Sequence, residues 1–265
     1  MLKFYGRPAS LALIILFIAS LCISGCTIRS GPKGFDKPET APSRPAPDAP
    51  SRLNGAFLKT AAEGKRFLFS GWSLTKIQKR NIGLYVAGGY DQEKGYNIDG
   101  GRIFGQPFRY YRLGNDVYIS EGQKWRKINP AESPLEPFVD FAKLGFLSEK
   151  AVQLPDDEVL GKKCDVYHIV LDAQDAVRAA RSMGLDVSGY EKSPARPYFD
   201  RLDMKLTLWV GKADSFIYQY KTKTTMPVPG AGSLYQEVFF KFWNYNSSSI
   251  NLQSKEKLEQ YLVQD

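Results

Sequence analysis

The stretch FDRLDMKLTLWVGKADSFIYQYKTKTTM, residues 199–226, alternates apolar and polar side chains on both sides of a four-residue break. From Leu202 onward one face carries Leu202, Met204, Leu206, Leu208 and Val210, and the other Asp203, Lys205, Thr207 and Trp209. Gly211-Lys212-Ala213-Asp214 supplies a hairpin turn. Beyond it, Phe216, Tyr218 and Tyr220 oppose Gln219, Lys221 and Lys223. A further run, SLYQEVFFKFWNYN (233–246), sets Leu234, Val238, Phe240 and Phe242 against Tyr235, Glu237 and Lys241. Period-two patterning in consecutive segments specifies an antiparallel sheet with one wet face and one covered face.

Shorter, aromatic-rich runs precede it: RFLFSGWS (66–73), IGLYVAG (82–88), PFRYYRL (107–113), DVYIS (116–120), KWRKI (124–128) and the longer KKCDVYHIVLD (162–172). Gly88-Gly89, Gly100-Gly101, Gly114-Asn115 and Glu121-Gly122 read as the turns between them. Asp156-Asp157-Glu158 reads as a solvated turn in a loop. Two amphipathic segments are available to cover the sheet. In SPLEPFVDFAKLGFL, Ser133 is placed to cap a helix, Pro134 suits its first turn, and Leu135, Phe138, Phe141 or Ala142, and Leu144 to Phe146 give an apolar stripe. In DAQDAVRAARSMG, Asp172 caps, Asp175 supports the first turn and Gly184 stops the helix. Asn54 reads as the cap of a short helix through about Glu63. The fold class expected is mainly β, of the α+β kind, with one domain spanning 53–265.

The start of the chain carries a different message. Lys3 and Arg7 precede an apolar run from Leu11 to Ile23, which is shorter than the ~20 residues a bilayer-spanning helix needs. This is the pattern of a secretory signal. Ile23-Ser24-Gly25-Cys26 resembles the bacterial lipobox, which implies a signal peptide over residues 1–25 and a diacylglyceryl thioether on Cys26. Two acyl chains make a stable anchor where one is marginal. Residues 26–52 then form a tether: six prolines lie between Thr27 and Arg52, with only Ile28 and Phe35 as substantial hydrophobes. The expected location is the outer face of the cytoplasmic membrane or the periplasm.

The formal charge of +8 suits an anionic surface without choosing among phospholipid, wall polymer and nucleic acid. Export argues against nucleic acid. A catalytic constellation is hard to assemble. His168 is the sole histidine, and Cys164, in CDVYHIV, fits a small buried strand residue better than a nucleophile. No GxSxG elbow, P-loop spacing or metal-ligand cluster occurs in the sequence. The expectation is a protein that is not an enzyme and needs neither metal nor cofactor.

The segments PFRYYRLGNDVYISEGQKWRKI and LTLWVGKADSFIYQYKTKTTM, with helices interposed, make residues 54–265 similar to the periplasmic lipoprotein-carrier superfamily (LolA- and LolB-like) and to mycobacterial lipid-binding lipoproteins of the LppX type. The resemblance implies an unclosed, curved antiparallel sheet, a half-barrel, with helices on its concave side and acyl chains held between the two. It implies that Met204, Leu206, Leu208, Phe216, Tyr218, Val238 and Phe240 face the concavity and that the helix with Phe138 and Phe141 is its lid. The implied partners are a membrane, through Cys26, and a lipid or other hydrophobic ligand. An envelope sensor or scaffold that contacts a protein partner, with its concavity simply packed, is the alternative.

Overall fold

The computed structural model describes residues 48–103, 105–121, 124–129, 140–182, 196–228 and 232–262. The signal, Cys26, the tether up to residue 47, the Ser133 cap, Phe138 and Gly184 lie outside these residues.

Among the described residues, one sheet of eleven strands organises the chain. Its strands are β1 (Arg66–Ile77), β2 (Arg80–Asp91), β3 (Gly95–Ile103), β4 (Gln106–Leu113), β5 (Asp116–Glu121), β6 (Lys124–Ile128), β7 (Val152–Val159), β8 (Lys162–Leu171), β9 (Asp203–Gly211), β10 (Ile217–Val228) and β11 (Gly232–Trp243). The spatial order β6-β5-β4-β3-β2-β1-β11-β10-β9-β8-β7 records a simple path. The chain starts at the centre and walks outward to β6. It then crosses to the opposite edge and walks back from β7 until β11 pairs with β1. Phe69 lies opposite Phe242 and Gly71 opposite Phe240 along that central seam. Every pairing is antiparallel, and β6 and β7 remain edges, so the sheet is curved but unclosed.

Helix α1 (Ala49–Glu63) precedes the sheet, and a 3-10 helix (Phe141–Lys150) belongs to the crossing segment. Helices α2 (Ala173–Ser182) and α3 (Arg196–Phe199) join β8 to β9, and α4 (Lys255–Leu262) follows the last strand. Asp172 and Asp175 close α2 reciprocally: the Asp175 N–H donates to Asp172 Oδ1 at 2.9 Å, and the Asp172 N–H to Asp175 Oδ2 at 3.2 Å. Lys150, at the end of the 3-10 helix, pairs with both acids. The Asp175 amide and Lys150 hold the Asp172 carboxyl below the usual range despite some desolvation.

Several sequence expectations need correction. Gly88-Gly89 and Gly100-Gly101 are inside β2 and β3, not at turns. They coincide with register shifts between Tyr85 and Gly88 and between Ile98 and Gly101, where bulges bend the sheet. A Cβ on Gly88 would overlap the Asn97 carbonyl, and one on Gly101 would lie 2.6 Å from the Phe108 ring. Asp156-Asp157-Glu158 belongs to β7, an edge strand that tolerates charge and Pro155. Asn54 is interior to α1, which starts at Ala49 and accommodates Pro50 in its first turn. The Gly114-Asn115 turn and the Gly211–Asp214 turn stand as read.

Candidate ligand-binding face

Directly paired residues of an antiparallel sheet share a face, so the concave surface can be followed rung by rung. One rung runs Tyr167, Leu208, Tyr220, Phe240, Gly71 and Val86 across β8, β9, β10, β11, β1 and β2. The next runs Ile169, Leu206, Thr222, Val238, Ser73 and Leu84. A third, Leu171, Met204, Thr224, Gln236, Thr75 and Ile82, is more polar at its centre, where Gln236 Nε2 donates to Thr75 Oγ1 at 3.1 Å. The face therefore grades from aromatic to amide and hydroxyl along the strand direction. It continues across β3 to β5 through Ile98, Tyr110 and Val117, all buried in the same core as Leu208 and Phe242.

Two helical segments close over this face. Leu53, Ala56 and Phe57 of α1 and Phe141, Leu144 and Leu147 of the 3-10 helix are buried against it. The Phe57 and Phe141 rings stack at 6.1 Å, and Phe141 meets Tyr220 and Phe242 edge-on, each at 6.2 Å. Gly145 lets the two segments approach, since a Cβ there would sit 2.6 Å from Asn54 Oδ1. Burial pushes the Tyr220 phenol far above its ordinary value, so it remains neutral among these rings. Phe57, Phe141, Tyr220 and Phe242 are buried and in ring contact between lid and sheet.

A register shift in β10, between Ile217 and Gln219, decides where two expected residues go. Ile217 pairs with Val210 and is fully buried in the large core. The extra residue turns Tyr218 to the other side, so Phe216 and Tyr218 pack with Cys164, Trp209 and Tyr245 in a separate cluster. The expectation that Phe216 and Tyr218 face the concavity is corrected accordingly. The bulge leaves backbone groups free of the ladder, and they are satisfied elsewhere. The Ile217 N–H donates to Thr60 Oγ1 of α1 at 3.1 Å, and Tyr245 Oη donates to the Ile217 carbonyl at 2.5 Å. Leu206, Leu208 and Phe240 are buried in the large core, with Met204 and Val238 packed against it, and Phe141 occupies the lid. Phe138 is outside the described residues.

The convex face is not uniformly wet. Tyr111, Tyr118 and Trp125 of β4 to β6 receive Leu258 and Tyr261 of α4. Asp116 ties the arrangement by pairing with Lys127 and Lys255, each at 2.5 Å. Ser254, with Leu258 and Leu262 four residues apart after it, was a helix signal that the strand patterning overshadowed. Cys164, in the Tyr218 cluster, is buried, and its desolvation raises the thiol to about 11. His168 Nδ1 lies 3.1 Å from Thr207 Oγ1 on the convex side. Among the described residues no group of His, Cys, Asp or Glu side chains is placed to hold a metal ion.

No protein-family model matches the chain, and no curated protein matches it in sequence. Solved structures do align with it. LprF from Mycobacterium bovis is 13% identical, with a TM-score of 0.41 over 79% of this chain and 99% of that one. Lipoprotein LppX from Mycobacterium tuberculosis is 10% identical, with a TM-score of 0.39 over 76% and 99%. A LolA superfamily protein from Nitrosomonas europaea is 10% identical, with a TM-score of 0.26 over 74% and 91%.

Proposed function

We propose that this chain is a lipid-anchored cell-envelope protein that holds a lipid or other hydrophobic ligand non-covalently on the concave face of its sheet. The observation that carries the reading is the lid. A broad apolar face is covered by α1 and the 3-10 helix, which meet each other through Phe57 and Phe141 and meet the sheet through the Phe141 ring and, at one end of α1, through Thr60 and Arg52. Such a cover can be lifted without breaking the strand ladder. An acyl chain would take the place of Phe57 and Phe141 against Tyr220 and Phe242, gaining about 0.8 kcal/mol for each methylene it buries. Burial and shape would do the binding, with no catalytic step and no cofactor. Cys26 would supply the membrane attachment, and the proline-rich tether the reach, up to ~80 Å at the polyproline rise of ~3.1 Å per residue.

The test is native mass spectrometry of the full chain in non-ionic detergent, followed by solvent extraction. A co-purifying acyl lipid at fixed stoichiometry, in addition to the mass on Cys26, is the expected result. A mass that stays ligand-free when lipid extract is added would overturn the reading in favour of an envelope scaffold whose partner is a protein.

A further inference from the structure

At one end of the concave face, α1 carries side chains that an apolar ligand does not need. Arg52, Gly55 and Lys59 are three and four residues apart and so share a face of the helix. They line a cleft of about 260 Å³ together with Asp165, Tyr167 and Ser215. Tyr167 is fully buried on β8, and among the described residues its hydroxyl has no hydrogen-bond partner. A buried polar group left this way is destabilising and calls for an explanation. Burial and the Asp165 charge raise the phenol to about 12, with Arg52 acting in the opposite sense. The hydroxyl therefore keeps its proton as a donor, within electrostatic reach of the Arg52–Asp165 pair.

Gly55 adds a second, independent observation. It sits in the interior of α1, where glycine is the least favourable residue after proline. A Cβ there would meet nothing within 4 Å, so packing does not demand the glycine. Its effect is to leave the cleft wall open. The charges complete the picture. Asp165 is buried and already matched by Arg52, by Lys212 at 3.4 Å and by Gln153 Nε2 at 3.3 Å. Lys59 is 3.8 Å from Glu63 and stands over the Phe216 ring. Asp48, 4.0 Å from Arg52, and Asp156, paired with Lys212, point outward and are well exposed. Arg52 and Lys59 are themselves 45% and 36% exposed, which leaves them able to meet an incoming anion.

We propose that this slot takes a phosphate group, carried by an amphiphile whose acyl chains lie on the adjoining concave face, with Arg52 and Lys59 neutralising it and Tyr167 Oη donating to one of its oxygens. The amphiphile part rests on the lipid-binding reading above; the slot can fail without it. Two substitutions test the slot without threatening the fold. Gly55→Ala enters open space in a better helix former, and Tyr167→Phe removes a hydroxyl with no hydrogen-bond partner among the described residues.

The full chain in non-ionic detergent is titrated with phosphatidylglycerol, and with diacylglycerol of the same acyl chains, by native mass spectrometry. Inorganic phosphate is scored separately by thermal shift, and circular dichroism checks each variant. The expected result is tighter binding of phosphatidylglycerol than of diacylglycerol, with both variants losing about tenfold for the former only, the size of one hydrogen bond to a charged group. A thermal shift with inorganic phosphate that both variants abolish, with the two lipids bound equally, would support the slot but make free phosphate its source. Equal binding of both lipids that neither variant alters, without a phosphate effect, would overturn the slot and leave the lipid-binding reading standing. Failure of all three probes would overturn both.

Discussion

The two meanders of the sheet fill their interiors in opposite ways. In β1–β6 side chains are missing at points of close approach. Gly71 lies beneath the Phe240 ring, Gly101 beneath Phe108, and Gly88 against the Asn97 carbonyl. Two register slips accompany them. In β7–β11 glycine is confined to strand ends, at Gly211 and Gly232, and the interior positions are filled on both faces. Large residues there pack inward at Leu208, Ile217 and Phe242 and outward at Tyr218 and Trp209. One meander should thus be intolerant of added atoms and the other of removed ones.

The largest effect should come from adding a single methyl group at Gly88. Its Cβ would collide with backbone, which cannot rotate aside as a side chain can. Gly88→Ala is expected to cost about 3 kcal/mol or more, at the upper end of overpacking effects. The reciprocal test is Leu208→Ala, which empties a fully buried position on the central concave rung. It should cost about 2–5 kcal/mol according to how far Tyr167 and Tyr220 can collapse into the space. Urea midpoints for both variants decide the matter. If Gly88→Ala were neutral, the first meander would have slack that the bulge geometry denies.

The same contrast governs how much could be read in the amino-acid sequence. The alternation from Leu202 to Val210 declares strand, face and pairing partner together, because each apolar residue has one sheet face to occupy. The run GYNIDGGRI has the composition of a turn, which hides β3 from the strand pattern. Its glycines answer to neighbouring rings and carbonyls that a local pattern does not contain. Edge strand β7, VQLPDDEV, reads as loop because proline and acids are what an edge tolerates. Burial was legible at Phe141, Leu206, Leu208 and Phe240. It was not legible at Phe216-Ile217-Tyr218, where three consecutive apolar residues fit either register and only the bulge chooses. Tyr167 and Gly55 left no signal at all: one is orphaned and the other open only in the assembled fold.

The smallest expected effect sharpens the comparison on the wet side of the filled meander. Glu237 of β11 accepts a hydrogen bond from Tyr235 Oη at 2.8 Å and pairs with Lys221 Nζ at 2.6 Å. Burial alone would raise its carboxyl, but the contacts with Lys221 and Tyr235 outweigh it and hold the group below the usual glutamate range. A folded-state value below the unfolded one adds stability above the unfolded value, about 4.3, and that contribution is lost as pH falls through the folded value. Glu237→Gln keeps the shape and removes the charge. Its urea midpoint should lie modestly below that of the natural chain at pH 7, and the gap should close as both are taken well below pH 4. A gap that stays constant with pH would mean that the position contributes through packing, and that the filled meander gains from side-chain volume on its outer face as it does on its inner one.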